Sequence, residues 1–193
     1  MKILLLLARG VEVTELSAFV DVFGWDRHYH QGDVTVDTCA FTKEVTSAFN
    51  VTIGVDRLLD QVDVADYDAL AIPGGFEEWG FYEDAYQPQF LALIRQFHEA
   101  GKWVATICVG ALPLAKSGVL VGKKGTTYHL RGGRRQKQLA ELGVTVVNQP
   151  VVMDGRLITS WCPSTAVEVA LQLLAALRSP AASQAVRELM GYC

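Results

Sequence analysis

The sequence predicts an α/β fold, a mostly parallel sheet with helices on both faces and a cysteine at a turn between strand and helix. Three observations carry this expectation. Short, continuously apolar runs of strand length recur along the chain, each followed by a segment with helical hydrophobic spacing, and glycines mark the joins. The runs lack polar alternation, as strands covered on both faces do. At 193 residues and 50% hydrophobic content, the chain has the size of one domain over residues 1–193 with one large core.

The elements follow in order. Ile3 to Ala8 is an unbroken apolar run, and Leu16, Phe19, Val20 and Phe23 then fall at the spacing of an amphipathic helix. From Val34 to Ala40 apolar and polar residues alternate as in a half-buried strand, and "FNVTIGVD" adds a short β segment, giving a parallel strand and a small hairpin. "DALAIPGG" is a buried strand ending in a glycine turn; the helix after it carries Phe90, Ile94 and Phe97 on one face and stops at Gly101. "KWVATI" repeats the pattern, with Cys108 at its end and a helix in "VGALPLAKSG" closed by Gly118 despite Pro113. Further strands are expected at "GTTYHL", near "VTVVNQP" and at "RLITSW", with helices through "RRQKQLAELG" and from Ser164 to Leu177. Residues 180–193 read as an appended C-terminal helix.

Composition excludes several functions. Seventeen basic residues against 21 acidic give a net charge of −4, which makes no case for nucleic acid. The one basic knot, Arg131, Arg134, Arg135 and Lys137, reads as the solvated face of a helix start. The N-terminal apolar run ends at Ala8 without a small-x-small cleavage site, so it reads as a buried strand rather than a signal peptide. No apolar stretch nears the roughly 18 residues of a membrane span. Cys39, Cys108, Cys162 and Cys193 are irregularly spaced and form no C-x-x-C pair, which favours reduced thiols and a cytoplasmic location over disulfides or zinc. His28 and His30 in "DRHYHQGD" have an H-x-H spacing but no third ligand, and a solvated loop is the expectation there, with no metal site.

In folds of this class ligands collect at the carboxyl ends of the strands. "ARGVEVTEL" there supplies Glu12 and Glu15, "DALAIP" is followed by Gly74 and Gly75, and "KWVATI" by Cys108. A cysteine at a helix start meets N–H groups that favour thiolate, yet a buried structural cysteine fits the bare pattern as well. Glu15 projects from the same sheet end, or merely complements the helix dipole. The Gly74-Gly75 pair and the Val109 amide can form an oxyanion hole, or a simple tight turn. Trp25, Phe76, Trp79, Phe81 and Tyr82 are expected around the strand ends, walling an apolar pocket or a subunit contact.

In order and spacing, "LLARGVEVTEL", "AIPGGFEEWG", "ATICVGALPLAKSGVLVGKKGTTYHL" and "LITSWCPSTAVEVALQLL" resemble the ThiJ/PfpI superfamily, of class I glutamine amidotransferase-like, flavodoxin-like architecture. The nearest branch resembles the parkinsonism-associated deglycase and its bacterial relatives. The resemblance implies a nucleophile elbow at Cys108, a protonated general acid and base at Glu15, oxyanion amides at Gly75 and Val109, no cofactor, a small-molecule substrate and a homodimer. Three departures qualify it. Val109 stands where the peptidase branch has a histidine, which speaks against peptidase activity. His129 falls one residue beyond the family's histidine, on the opposite face of an extended chain, and is a weak candidate. Trp161 replaces an arginine, so an anion-binding partner is missing and the pocket formed by Trp25, Gly74, Phe76 and Trp161 should be more apolar; Cys162 beside it reads as buried.

The function so implied is glyoxalase III or deglycase-like chemistry on small carbonyl compounds. The alternatives are a small C–N hydrolase or isonitrile hydratase, and a redox-sensing stress protein acting through Cys108 oxidation without turnover.

Overall fold

Consecutive residues of a strand point to opposite faces, so a strand can be dry throughout only if both faces are covered. Ile3, Leu4, Leu5, Leu6 and Leu7 are all 0% exposed in the computed structural model, which describes residues 1–192. Strand β1 (Lys2–Leu6) accordingly lies inside the sheet.

Helix α1 (Val13–His30) follows, and its buried face is Glu15, Ala18, Phe19, Val22, Phe23 and Asp26. The expected stripe is displaced by a residue: Val20 is 43% exposed. Two acidic residues occupy the ends of the true stripe, and a search for apolar residues alone misplaces its centre. His28 and His30 are exposed on the last turn of α1 rather than in a loop. Two residues apart on a helix, they point to different sides.

Strand β2 (Thr35–Ala40) runs parallel to β1, and β3 (Glu44–Thr46) pairs with β4 (Thr52–Gly54) as the expected hairpin, antiparallel. The edge strand β5 (Arg57–Leu58) completes that side. On the other side of β1 stands β6 (Ala69–Ile72), buried throughout. The short helix α2 (Phe81–Ala85) and α3 (Pro88–Glu99), with Phe90, Ile94 and Phe97 in the core, lead to β7 (Trp103–Thr106), parallel to β6.

A tight turn over Cys108–Gly110 opens α4 (Ala111–Lys116). Pro113 sits in its first turn, where no intrahelical N–H bond is lost. The strand expected in "GTTYHL" is only β8 (Lys124–Gly125), paired with β9 (Thr145–Val146) in a small separate sheet. Beyond Gly125 side chains replace the ladder: the Thr126 N–H donates to Thr159 Oγ1, and Thr127 Oγ1 donates to the Cys108 carbonyl. Helix α5 (Arg134–Glu141) lies between β8 and β9 in sequence. The partner of β11 (Leu157–Ser160) is β10 (Val151–Asp154), antiparallel to it, while β11 is parallel to β7. Helix α6 (Ala166–Leu177) packs on α1, and α7 (Pro180–Leu189) packs on α6 and α1; Cys193 lies outside the described residues.

The seven-stranded sheet has the order β10-β11-β7-β6-β1-β2-β5. From β1 the chain builds outward to β2, then returns to β6 on the other side and builds outward to β7. This reversal opens a crevice at the carboxyl ends of β1 and β6, where α/β sheets bind ligands. Among the described residues, no helix is long and apolar enough to cross a membrane.

Candidate active site

The loops leaving β1 and β6 are locked together before any side chain is considered. The Glu12 N–H donates to the Gly74 carbonyl at 3.0 Å and the Phe76 N–H to the Gly10 carbonyl at 2.9 Å. These bonds flank an isolated bridge between Val11 and Gly75, so the Gly75 N–H takes no part in them. A Cβ on Gly75 would stand 2.5 Å from both Gly10 O and Phe81 Cδ2, which explains the glycine.

Glu15 is carried into this junction by the first turn of α1 and is fully buried. The Gly74 N–H donates to its Oε2 at 2.6 Å, whereas Oε1 is buried with no hydrogen-bond partner. Burial pushes the carboxyl up to about 8, against the Gly74 hydrogen bond, which pulls down. An orphan oxygen on a raised carboxyl is the natural seat of a proton.

Cys108 has the left-handed backbone of an elbow, φ 55°, a conformation that a non-glycine residue adopts at a cost of order 1 kcal/mol. Gly110 lets the turn close on β6, since a Cβ there would lie 2.5 Å from Ile72 O. Cβ of Cys108 and Oε2 of Glu15 both lie 3.0 Å from where a Gly74 Cβ would be. Gly74 is thus the floor on which carboxyl and thiol meet.

Sequence left open whether Cys108 is a buried thiol or an elbow residue. It is both, being only 9% exposed. Burial pushes its pKa up, the Glu15 charge pushes the same way, and the Val109 N–H opposes them. The thiolate expected from the helix start is therefore not favoured by position alone. One tight turn and a six-residue helix supply too small a dipole to offset desolvation. Two anions cannot share this site, so the pair ionises as a unit.

The cavity above the pair is about 590 Å³, and its lining includes Glu15, Gly75, Phe76, Cys108, Val109 and Tyr128. A larger hollow of about 710 Å³, between Val62–Ala65 and Gln96–Lys102, lies at the amino ends of β6 and β7 and contains no buried titratable group. Only the smaller one is lined by Glu15 and Cys108.

Other expected site residues are elsewhere. Trp25 does not line the cavity: ten residues beyond Glu15, about 15 Å along α1, it stacks on Tyr29. Trp161 and His129 also lie off the lining, stacked on each other with ring centroids 4.0 Å apart. Of the aromatic cluster, only Phe76 reaches the cavity; Phe81 is core, and Trp79 packs against Phe49. Cys162 is half-buried and lines the cavity, its Sγ 3.2 Å from Ser164 Oγ. The residues whose site role sequence missed are Arg131, Arg134 and Arg135: Arg131 and Arg134 are exposed at the start of α5, as expected, but with Arg135 they also line the cavity. Their only advance signal was position, in the loop directly after "TTYHL". Among the described residues, no group of three or more His, Cys, Asp and Glu is placed to hold a metal ion.

A model of the DJ-1/PfpI family matches residues 1–176. The chain belongs to the DJ-1/PfpI family. It is 34% identical over 166 residues to the deglycase PfpI of Pyrococcus furiosus, covering 84% of this chain and 91% of that protein. It is 32% identical over 166 residues to the deglycase TK1284 of Thermococcus kodakarensis, with the same coverage of 84% and 91%. The crystal structure of Drosophila melanogaster DJ-1beta superposes with a TM-score of 0.83 at 29% identity, covering 98% of this chain and 96% of that one. The α/β architecture is therefore that of the DJ-1/PfpI family, and the segments that follow β1 and β7 carry the pair described above.

Proposed function

We propose that this DJ-1/PfpI chain is a cysteine enzyme acting on small carbonyl compounds, with Cys108 as nucleophile and Glu15 as general acid and base. The observation that carries this reading is the meeting of a buried, raised carboxyl and an elbow thiol on the Gly74 floor. Its relatives named deglycases support it.

The reactive form of the pair is the tautomer that holds its one proton on Glu15 beside a Cys108 thiolate; burial disfavours that thiolate, the Val109 N–H supports it, and attack on substrate draws from it. The thiolate attacks an aldehyde carbon of a 2-oxoaldehyde; a C–S bond forms, the π pair moves to oxygen, and Glu15 protonates that oxygen to give a hemithioacetal. Glu15, now carboxylate, removes the proton from the same carbon to give an enediol and returns it to the adjacent carbon, while the hydroxyl proton of the hemithioacetal passes to the adjacent oxygen, leaving a thioester of a 2-hydroxy acid. Water then attacks the thioester while Glu15 takes its proton, releasing the hydroxy acid and the thiolate. The Gly75 N–H, unused by the β-bridge, and the Val109 N–H, already directed at the sulfur, are the oxyanion donors.

A panel of glyoxals, amides and isonitriles on wild type and Cys108→Ala tests the proposal. Glyoxal turnover that disappears in Cys108→Ala is expected. Turnover of amides or isonitriles alone would replace this reading with C–N chemistry, and reversible peroxide oxidation of Cys108 with no turnover would replace it with redox sensing.

A further inference from the structure

The arginine wall contradicts the expectation that a chain with Trp161 in place of the family's arginine lacks an anion partner. Arg135 is fixed: its side chain is 15% exposed, its guanidinium lies 5.1 Å from the Tyr82 ring centre, and its Nη2 donates to Glu77 Oε2 at 2.7 Å. Arg134 shares that carboxylate oxygen at 3.3 Å but is 63% exposed. Arg131 makes no ion pair among the described residues. Two of the three guanidinium groups thus share one carboxylate and the third is unpaired among the described residues, and since each carries five N–H donors, most remain unspent. Apart from Glu15, the other acids on the lining form no ion pair with them: Glu12 accepts from the Thr14 N–H at the start of α1, and Glu78 has no salt-bridge partner among the described residues. The backbone adds to the asymmetry. Helix α5 begins at Arg134 with no side-chain cap on its free N–H groups. Arg131, like Cys108, is a cavity-lining non-glycine residue held at positive φ, here 54°, a strain of the kind that gathers at functional sites.

We propose that Arg131 and Arg134, with Arg135 fixed behind them, form an anion subsite beside Cys108 that selects small carbonyl substrates bearing a carboxylate or phosphate group. The substrate class rests on the carbonyl reading above; the subsite does not. An anionic tail held by the exposed guanidinium groups places its carbonyl carbon toward the thiol, and the neutral, protonated Glu15 adds no repulsion.

The subsite is tested without turnover, by the rates at which Cys108 is alkylated by iodoacetate and by iodoacetamide, followed by peptide mass mapping at low salt. The iodoacetate-to-iodoacetamide ratio should exceed that of Arg131→Gln/Arg134→Gln by roughly 3- to 10-fold, and high salt should erase the difference. Arg131→Lys/Arg134→Lys, which keeps the charge, should recover most of it. An equal ratio in wild type and the glutamine variant overturns the subsite. KM values for 2-oxoaldehydes with a carboxylate, a phosphate or no charge then separate the two anions. Equal KM for all three overturns the substrate class, and absence of all turnover sinks only the carbonyl reading.

Discussion

Helix α1 buries two carboxyl groups on one face, eleven residues apart, and treats them in opposite ways. Eleven residues are about three turns, so Glu15 and Asp26 point in the same direction from the two ends of the helix. Asp26 is a neutralised charge: the Arg178 guanidinium donates to its Oδ1 at 2.6 Å, and the pair ties α1 to the end of α6. Gly32 leaves room for it, since a Cβ there would fall 1.9 Å from Asp26 Oδ2. Glu15 has no cation. It is met by one backbone N–H and a thiol, so burial acts on its ionisation unopposed by charge. Equal burial on one helix yields a structural ion pair where a guanidinium is supplied and an acid that keeps its proton where it is withheld.

The largest expected effect lies at the Asp26 end. Arg178→Ala leaves a buried carboxylate uncompensated and should cost about 3–5 kcal/mol in chemical denaturation. Replacing both partners, Asp26→Leu with Arg178→Met, should recover most of that loss. If Arg178→Ala were as stable as wild type, Asp26 would not be the paired counterpart described.

At the other end the effect falls on rate. Glu15→Gln should keep the fold and an alkylatable thiol but lose about 10²-fold or more in turnover. Wild-type turnover in that variant would remove Glu15 from the chemistry and leave its burial without a purpose.

The Glu15 proton should also show in the pH dependence of stability. Glu15 binds its proton more tightly in the folded chain, about 8 against an ordinary value of 4.5. Between those values the folded state holds the extra proton, so this group's contribution to stability is full below the lower value and declines as pH rises toward and through the upper one. Glu15→Gln should flatten that decline. An unchanged slope would mean that the carboxyl is not raised.

Much of this contrast could be read from sequence at one end and none at the other. Glu15 and Cys108 were legible because unbroken apolar runs mark buried parallel strands, and the residues after such strands share one sheet end. Asp26 was not, because its partner lies 152 residues away and no local pattern announces it. The arginine wall was hidden for a related reason. "GTTYHL" has the composition of a strand, but threonine hydroxyls took over its backbone bonding, and the loop that resulted carries Arg131 and α5 back to the cavity. Trp25 was misplaced because proximity in sequence to Glu15 becomes distance along a helix.

The account stands most directly on the protonation of Glu15. A ¹³C-NMR titration of glutamate side-chain carboxyls, assigned by comparison with Glu15→Gln, reads it. The Glu15 signal should remain that of an acid at neutral pH and titrate near 8; because burial is the leading cause, it should stay raised in Cys108→Ala. A Glu15 signal that titrates near 4.5, with the exposed glutamates, would contradict the account.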